Sequence, residues 1–480
     1  MLQGTGSDVG KSLLVAGLCR IAARRGIGVA PFKPQNMSNN AAACPGGGEI
    51  GRAQALQARA AGLDPSTDMN PVLLKPEGDR RAQVVLNGKA LRSEEAAAYM
   101  ANRGSLLPSV IEAFERLKSA HGLVIIEGAG SPAEVNLRRG DIANMGFARA
   151  ADVPVVLVGD IDRGGVIASL IGTRAVIEAD DAEMVAGFVI NRFRGDETLF
   201  ADGVRFIEDS CGWRSFGIVP WLQCAARLPA EDAVVLGHAM PASGAILIAV
   251  PMLSRISNFD DLDPLRAEPD VEVRFIPPGQ PIPREADAII LAGTKSTLAD
   301  LAMLRNQGWH HDILTAWRTG AHIVGLCGGF QMLGKRIEDA DAADGLAGSA
   351  DGLGLFDMTT MMTLEKVVRP MSGTTLAHGD HVTGYEIHTG RSHGPALSKP
   401  FCELEDGSCD GAIAGDGRLI GTYLHGVFAS DAFRSRWLER LSSGRSSTLD
   451  YEDSVENALD ELADGLEVAL DVDALLALAR

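Results

Sequence analysis

Glycines surround a single cysteine between an apolar strand and a helix in A-H-I-V-G-L-C-G-G-F-Q-M-L-G, residues Ala321 to Gly334. His322 to Val324 is predicted to end a buried strand, and a helix is predicted to open at Phe330. Cys327 stands on the sharp turn between them, where glycines leave room for a strained backbone. A strand, a turn that carries a nucleophile and a helix form a nucleophile elbow, which requires an α/β sheet around it.

The turn around Cys327 has the parts that thiol catalysis needs. The N-terminus of the following helix favours the thiolate, and the amide of Gly328 is placed to donate to an oxyanion. The alternative is a buried structural cysteine beside a Gly-Gly turn, which is the usual role of a free cysteine. We favour the nucleophile because Gly325, Gly328 and Gly329 all surround this one thiol.

A nucleophilic cysteine needs a base from elsewhere in the chain. The best candidate is His425 in G-T-Y-L-H-G-V-F, because a predicted strand ends at this histidine. His388 in G-Y-E-I-H-T-G is a rival, although its surroundings are more typical of a strand face. The Gly-rich loop A-G-T-K-S-T is predicted to supply the second oxyanion amide, from Gly293 or Thr294.

These motifs resemble those of class I glutamine amidotransferases, which release ammonia from glutamine through a cysteinyl thioester. Triads of that class carry a glutamate two residues after the histidine, and Val427 occupies that position here. The carboxylate that orients the histidine is therefore missing or comes from elsewhere. The sequence predicts a catalytic dyad of Cys327 and His425.

A second motif, G-T-G-S-D-V-G-K-S from Gly4 to Ser12, precedes an apolar helix predicted over Leu13 to Arg25. It is a phosphate-binding loop in which Lys11 reaches the β- and γ-phosphates and Ser12 ligates Mg²⁺. The other residues of the loop predicted to bind nucleotide are Gly6, Ser7, Asp8 and Gly10.

Thr5 stands where the strict pattern of this loop has glycine, and this variant resembles the dethiobiotin-synthetase branch of P-loop proteins. Only three residues precede the loop. The strand that should come before it is therefore expected to be very short, or to have been lost to a late start site.

Polar residues follow several predicted strands of the N-terminal half. Lys33 opens K-P-Q-N-M-S-N-N after a strand and is placed to meet a phosphate or a carboxylate, unless the loop is merely solvated. Glu127 opens E-G-A-G-S at the tip of the apolar strand Leu123 to Ile126, where P-loop enzymes hold Mg²⁺. Asn191, the first residue of N-R-F-R-G-D, is a further nucleotide-binding candidate.

Strands that alternate with helices predict two doubly wound α/β domains. The predicted parts are a P-loop ATP-dependent synthetase domain over 1–236, with a parallel sheet, and a glutamine amidotransferase domain over 245–436. The stretch P-A-E-D and a Gly/Ala/Ser-rich run lie between them. An acidic helical tail is predicted over 437–480, without any chemistry of its own.

Charge and composition exclude several partners. The formal net charge of -19 argues against nucleic acid or an anionic membrane as the main partner. No signal peptide or membrane-spanning run is recognisable, and the seven scattered cysteines indicate neither a disulfide framework nor a zinc site. A cytoplasmic location is expected, and the sequence does not indicate an oligomeric state.

Taken in order along almost the whole chain, the motifs of both halves resemble the cobyric acid synthases, the glutamine-dependent amidases of cobalamin biosynthesis. The most specific motif is F-K-P-Q-N-M-S-N-N, from Phe32 to Asn40, because the related a,c-diamide synthases differ there. The resemblance implies that ATP and Mg²⁺ activate a corrinoid carboxylate and that L-glutamine supplies ammonia. It also implies that the b, d, e and g carboxylates of adenosylcobyrinic acid a,c-diamide are amidated.

Two other functions stay open. One is a different ATP-dependent amidase, for which a cobyrinic acid a,c-diamide synthase is the main alternative. The other is a P-loop ATPase switch that carries a degenerate amidotransferase domain. Intact Cys327 and His425 argue against the switch, and Val427 is the feature that favours it.

Overall fold

A computed structural model describes residues 1–229, 246–345, 347–445 and 447–479. It comprises an N-terminal α/β domain, a C-terminal α/β domain and a helical tail. The predicted domain boundaries at 236 and 245 lie outside the described residues. The predicted boundary between 436 and 437 falls within a helix, Asp431–Leu441.

The N-terminal domain contains a central parallel sheet, two strands beside it and two further sheets, one mixed and one antiparallel. Its strands in chain order are β1 (Leu2–Gly4), β2 (Val29–Phe32), β3 (Gln35–Met37), β4 (Ala41–Ala43), β5 (Glu49–Gly51), β6 (Val72–Pro76), β7 (Arg81–Leu86), β8 (Lys89–Glu95), β9 (Leu123–Ile126), β10 (Val155–Asp160), β11 (Val185–Phe193) and β12 (Arg214–Pro220). The parallel order is β1-β10-β11-β12, and the parallel pair β2-β9 adjoins β1 through a bridge between Leu2 and Glu127. The predicted doubly wound sheet is confirmed. The phosphate-binding loop begins at the carboxyl end of β1, and Glu127 follows the carboxyl end of β9.

Helices cover this sheet because their apolar faces match its apolar strands. In chain order they are α1 (Lys11–Arg24), α2 (Arg52–Ala60), α3 (Ala96–Asn102), α4 (Leu107–Ala120), α5 (Met145–Ala150), α6 (Val166–Val176), α7 (Ala179–Glu183) and α8 (Ala201–Cys211). The sequence did not indicate the mixed sheet β3-β6-β7-β8, which flanks the carboxyl end of β2 and in which only β3 and β6 pair in parallel.

The C-terminal domain has the second α/β sheet and a further sheet that is antiparallel apart from one parallel pair of strands. Its strands are β13 (Ile246–Pro251), β14 (Ile256–Ser257), β15 (Val271–Ile276), β16 (Ala288–Leu291), β17 (Gly293–Thr294), β18 (His322–Leu326), β19 (Arg336–Asp339), β20 (Gly348–Asp351), β21 (Thr359–Thr375), β22 (His381–His393), β23 (Cys402–Leu404), β24 (Cys409–Asp410), β25 (Ala412–Ala414), β26 (Leu419–Thr422) and β27 (Leu424–His425). The first sheet has the order β15-β13-β16-β18-β26-β25, with only β25 antiparallel. Its helices are α9 (Asp263–Arg266), α10 (Thr297–Asn306), α11 (Trp309–Thr319), α12 (Gly328–Leu333) and α13 (Asp431–Leu441).

The acidic tail forms α14 (Tyr451–Ala469) and α15 (Val472–Leu476). The apolar face of α14 is buried against α1, so the tail returns from the C-terminal domain to the N-terminal one. Ion pairs such as Arg20–Glu456 and Arg24–Asp464 flank this contact at 2.8 and 2.7 Å. Exposed pairs of this kind contribute at most about 1 kcal/mol each, so the buried apolar face supplies most of the attachment.

Candidate active sites

Cys327 occupies a strained turn between β18 and α12. Its backbone has φ 51° and ψ -110°, a conformation that costs a residue with a side chain about 1–3 kcal/mol. Its amide donates to the carbonyl oxygen of Thr422 at 2.8 Å, which helps to hold the turn. A Cβ at Gly329 would lie 2.0 Å from the carbonyl oxygen of Leu291, and one at Gly325 would lie 2.6 Å from Leu333. The glycines are therefore required by close packing, as the elbow geometry predicts.

His425 lies at the end of β27 and is held by a carboxylate from a distant loop. Its Nδ1 donates to Oδ2 of Asp261 at 2.7 Å, and the other oxygen of Asp261 accepts from the amide of Gly426 at 2.7 Å. Both side chains are almost fully buried. Of the two possibilities that the sequence left open, the structure contains the second: an orienting carboxylate comes from elsewhere, and Cys327, His425 and Asp261 can act as a triad.

The environment of His425 stabilises its protonated form. Burial would lower the pKa of His425, but the charge of Asp261, its hydrogen bond and the contact with Cys327 raise that pKa well above its usual value. The Tyr385 ring stacks on the imidazole with centroids 5.3 Å apart. An imidazolium beside Cys327 supports the thiolate and can give a proton to a leaving amine.

The rival base His388 is bound into a different network. Its Nε2 lies 2.6 Å from Oε1 of Glu386, and its Nδ1 lies 3.1 Å from the carbonyl oxygen of Gly390. The imidazole also stacks on Tyr423 at 3.9 Å. Both nitrogens of His388 are thus engaged, and this favours His425 as the base.

The predicted oxyanion donors lie beside the nucleophile and the base. Gly328 is the first residue of α12, where backbone amides lack partners within the helix. A Cβ at Gly328 would be 3.3 Å from the amide nitrogen of Thr294, so the two loops meet here. A Cβ at Gly293 would be 3.1 Å from the His425 ring. These contacts are consistent with an oxyanion hole formed by Gly328 with Gly293 or Thr294.

Asp261 gives a direct test of the triad. We expect Asp261→Asn to lower glutamine hydrolysis about 100-fold, less than the roughly 10⁴-fold loss in serine triads, because a thiol ionises more readily. The pKa of His425 should fall with the loss of the carboxylate charge. Since activity requires protonated His425, the alkaline limb of the pH profile should move to lower pH. Rates of glutamate release across pH measure both effects.

The matched control is Asp263→Asn. Asp263 lies two residues further along, at the start of α9, and burial raises its pKa to about 7, but it pairs with Arg266 rather than with His425. An unchanged pH profile in Asp261→Asn would show that Asp261 does not orient His425.

The phosphate-binding loop of the N-terminal domain brings two predicted metal ligands together. The hydroxyl of Ser12 donates to Oε1 of Glu127 at 2.8 Å, although the two residues lie on different elements. Lys33 donates to the same oxygen at 2.8 Å. Lys11 reaches the carbonyl oxygens of Gly6 and Gly130, at 3.2 and 3.5 Å. A hydroxyl and a carboxylate are oxygen ligands that suit Mg²⁺, so the residues present fit the ion.

The sequence did not single out two glutamines that bind Glu127. Nε2 of Gln57 donates to Oε2 of Glu127 at 2.6 Å, and Nε2 of Gln54 does so at 3.4 Å. Both are fully buried on α2, one helical turn apart. Two glutamines at helical spacing among the alanines of this helix were the available signal, because a buried face that carries them must meet a polar partner.

The remaining predicted nucleotide residues lie in the loop or pack against it. The side-chain nitrogen Nδ2 of Asn191 donates to the carbonyl oxygen of Val9 at 2.8 Å. The same side chain packs on Gly10, where an added Cβ would lie 2.3 Å from Nδ2. Asp8 forms ion pairs with Arg163 and Arg192 at 3.0 and 3.1 Å. Ser7 lines the cavity described next.

A cavity of about 1600 Å³ extends from the phosphate-binding loop towards the C-terminal domain. Lys11, Lys33 and Glu127 line it on one side, and Arg255 and Phe259 come from the other domain. The cavity is large enough for a substrate much bigger than a nucleotide.

A loop of the C-terminal domain, which contains Asn258 to Asp261, contacts the N-terminal domain and also carries the orienting carboxylate. Asn258 donates its amide to Oδ1 of Asn40 at 2.7 Å, and its side chain donates to the Tyr385 hydroxyl at 2.7 Å. Arg52 pairs with Asp260 at 2.8 Å. The residue after Asp260 is Asp261, so contacts with the N-terminal domain fix the loop that holds His425.

Comparison with known proteins gave matches over both domains. Residues 1–235 match the family described as the CobQ/CobB/MinD/ParA nucleotide binding domain, and residues 247–433 match the CobB/CobQ-like glutamine amidotransferase domain. Within the described ranges, no helix combines the length and apolar character needed to cross a membrane.

Full-length relatives are also similar. The chain is 62% identical over 480 residues to the cobyric acid synthase of Hyphomonas neptunium, covering all of this chain and 97% of that protein. It is 60% identical to that of Paracoccus denitrificans and 55% identical to that of Brucella suis, covering 99% of each.

Proposed function

The chain belongs to the cobyric acid synthase family, and on that premise we propose how its two sites amidate a corrinoid. The protein is a glutamine-dependent, ATP-using amidoligase of cobalamin biosynthesis. We assign as its substrates L-glutamine, ATP and a corrinoid, whose b, d, e and g carboxylates it converts to amides. The observation that supports the proposal is the occurrence of two arrangements in one chain, an elbow with Cys327 near the pair His425 and Asp261, and a phosphate-binding loop in which Ser12 contacts Glu127.

In the C-terminal site, the sulfur of Cys327 attacks the side-chain amide carbon of glutamine. The oxyanion that forms is stabilised by the amide of Gly328 and that of Gly293 or Thr294. His425 gives a proton to the amide nitrogen, which leaves as ammonia, and a thioester remains on Cys327. Water then hydrolyses the thioester to glutamate, with His425 as the base that accepts its proton.

In the N-terminal site, an oxygen of the corrinoid carboxylate attacks the γ-phosphorus of ATP, and ADP leaves. Lys11 stabilises the charge on the transferred phosphate, and backbone amides of the loop hold the others. Ser12 and Glu127 would hold Mg²⁺, which when bound neutralises phosphate charge. Ammonia then attacks the acyl phosphate, so that the amide forms and inorganic phosphate leaves.

Lys33 supports the same assignment. It is 5% exposed and bound to Glu127 at the carboxyl end of β2. A cation at this place can contact the substrate carboxylate or the transferred phosphate, because both are anionic and both must reach the same edge of the sheet.

The test of the function is a product analysis. The purified protein is incubated with the corrinoid a,c-diamide, glutamine and Mg-ATP, and the products are identified by mass spectrometry with fragmentation. We expect stepwise conversion of the b, d, e and g carboxylates. Conversion of the a and c carboxylates would identify a diamide synthase instead, and ATP hydrolysis without any amidation would favour a nucleotide switch.

A further inference from the structure

Arg103 is a buried cation for which the described residues provide no counter-ion. It follows α3 and is 5% exposed. Its Nη2 donates to the carbonyl oxygens of Leu137 and Arg139, the latter at 3.3 Å. Its Nε has no hydrogen-bond partner, and Arg103 takes part in no ion pair among the described residues.

Other arginines that line the same cavity are paired. Arg138 contacts Asp181 at 2.6 Å, and Arg255 contacts Asp79 at 2.9 Å. A guanidinium stays charged at any physiological pH, and removing such a charge from water without a partner is costly. Among the described residues, Arg103 is therefore the cavity-lining arginine that forms no ion pair with a carboxylate.

Arg103 also lies between the loops that form the synthetase site. Its two carbonyl partners follow E-G-A-G-S, the segment that begins at Glu127. Tyr99, one helical turn before it, donates to Oε1 of Gln35 at 2.6 Å, two residues after Lys33. Both Arg103 and Lys33 line the cavity.

Apolar surface accompanies this cation. Met37 and Leu137 line the cavity, and these residues are 57% and 36% exposed. Exposed apolar residues and a buried guanidinium in the same cavity suit a ligand with a broad apolar body and anionic groups at its edge. A corrinoid with free side-chain carboxylates has this chemistry.

We propose that Arg103 binds a side-chain carboxylate of the corrinoid and so anchors the macrocycle while another carboxylate is activated near Lys33. This proposal rests on the proposed function. A planar guanidinium with free N–H donors matches a carboxylate in geometry as well as charge. Arg103 would thus determine corrinoid affinity without taking part in either chemical step.

The test compares Arg103→Gln, Arg103→Lys and the control Arg138→Gln in the full-length protein. KM and kcat are measured separately for corrinoid, glutamine and ATP. A charge-assisted hydrogen bond is usually equivalent to about tenfold or more in affinity, so KM for the corrinoid should rise about tenfold in Arg103→Gln. The kcat at saturating corrinoid and the other two KM values should stay near those of the wild type.

Arg103→Lys keeps the charge but loses the planar pair of N–H donors. Its KM for the corrinoid should therefore lie between those of the wild type and Arg103→Gln. The control should not raise this KM selectively, because Asp181 already satisfies Arg138. An unchanged corrinoid KM, or a loss of kcat shared by all substrates, would overturn the proposal and leave Arg103 a structural role. If Arg103→Gln fails to fold, the KM of Arg103→Lys for the corrinoid tests the proposal. An unchanged KM in that variant would contradict the need for the paired N–H donors of the guanidinium. Absence of amidation in the wild type would instead refute the proposed function.

Discussion

Replacing Cys327 with serine is expected to abolish glutamine-dependent amidation and to leave amidation with free ammonia intact. Cys327 forms the thioester, and a serine hydroxyl in the same place is far less ionised near neutral pH. Loss of a nucleophile that acts with a base and an orienting acid costs about 10⁶-fold in turnover in a serine protease, so no glutamine-dependent product should be measurable.

Ammonia-dependent activity should survive because the phosphate-binding loop belongs to the other domain. The assay compares amide formation with glutamine and with a high concentration of ammonium at alkaline pH. Cys409→Ser is the matched control, since Cys409 is exposed and distant in sequence from the elbow. If Cys327→Ser folds and yet loses both activities, the separation into two sites is wrong.

Replacing Lys11 with alanine is expected to abolish amidation with either nitrogen source. The acyl phosphate cannot form at a useful rate without this charge near the transferred phosphate. Charged groups at this position commonly raise the rate of phosphoryl transfer by several orders of magnitude. Basal hydrolysis of glutamine should remain, because Cys327, His425 and Asp261 are all in the C-terminal domain. Phosphate release and glutamate release, measured together, separate the two effects.

Lys89→Ala is a suitable control for Lys11→Ala, because Lys89 is exposed on β8. Normal ammonia-dependent amidation in Lys11→Ala would mean that ATP is bound elsewhere.

The parts of both sites that the sequence could predict are those formed within one short segment. An apolar strand, a glycine turn and a helix identify Cys327, and the same logic identifies Lys11 and Ser12. Glu127 could be inferred from the end of its strand, since carboxyl ends of parallel strands meet at one edge. The observed distance of 2.8 Å between Ser12 and Glu127 agrees with that expectation.

Contacts between distant segments could not be predicted in this way. Asp261 and His425 are separated by 164 residues, and nothing in R-I-S-N-F-D-D distinguishes the carboxylate that turns towards the histidine. Two adjacent aspartates in a buried loop were the only signal, because buried acids require partners. Arg103 likewise becomes informative only when its burial and the absence of a counter-ion among the described residues are known.

The pairing of strands in the two mainly antiparallel sheets, of four and seven strands, was missed for a related reason. β21 and β22 have 17 and 13 residues, and much of β21 is only partly buried. Its polar and apolar residues do not alternate strictly, so its pairing depends on the partner strand and on the neighbouring domain rather than on a local pattern.

The central claim is that the N-terminal site activates a corrinoid carboxylate as an acyl phosphate for ammonia made at Cys327. The most direct measurement follows oxygen from corrinoid carboxylates labelled with a heavy isotope, during turnover with glutamine and Mg-ATP. Each amide formed should release one labelled oxygen, which should appear in inorganic phosphate together with ADP. Label in AMP would show adenylation instead, and unlabelled phosphate accompanying amide formation would contradict the acyl phosphate.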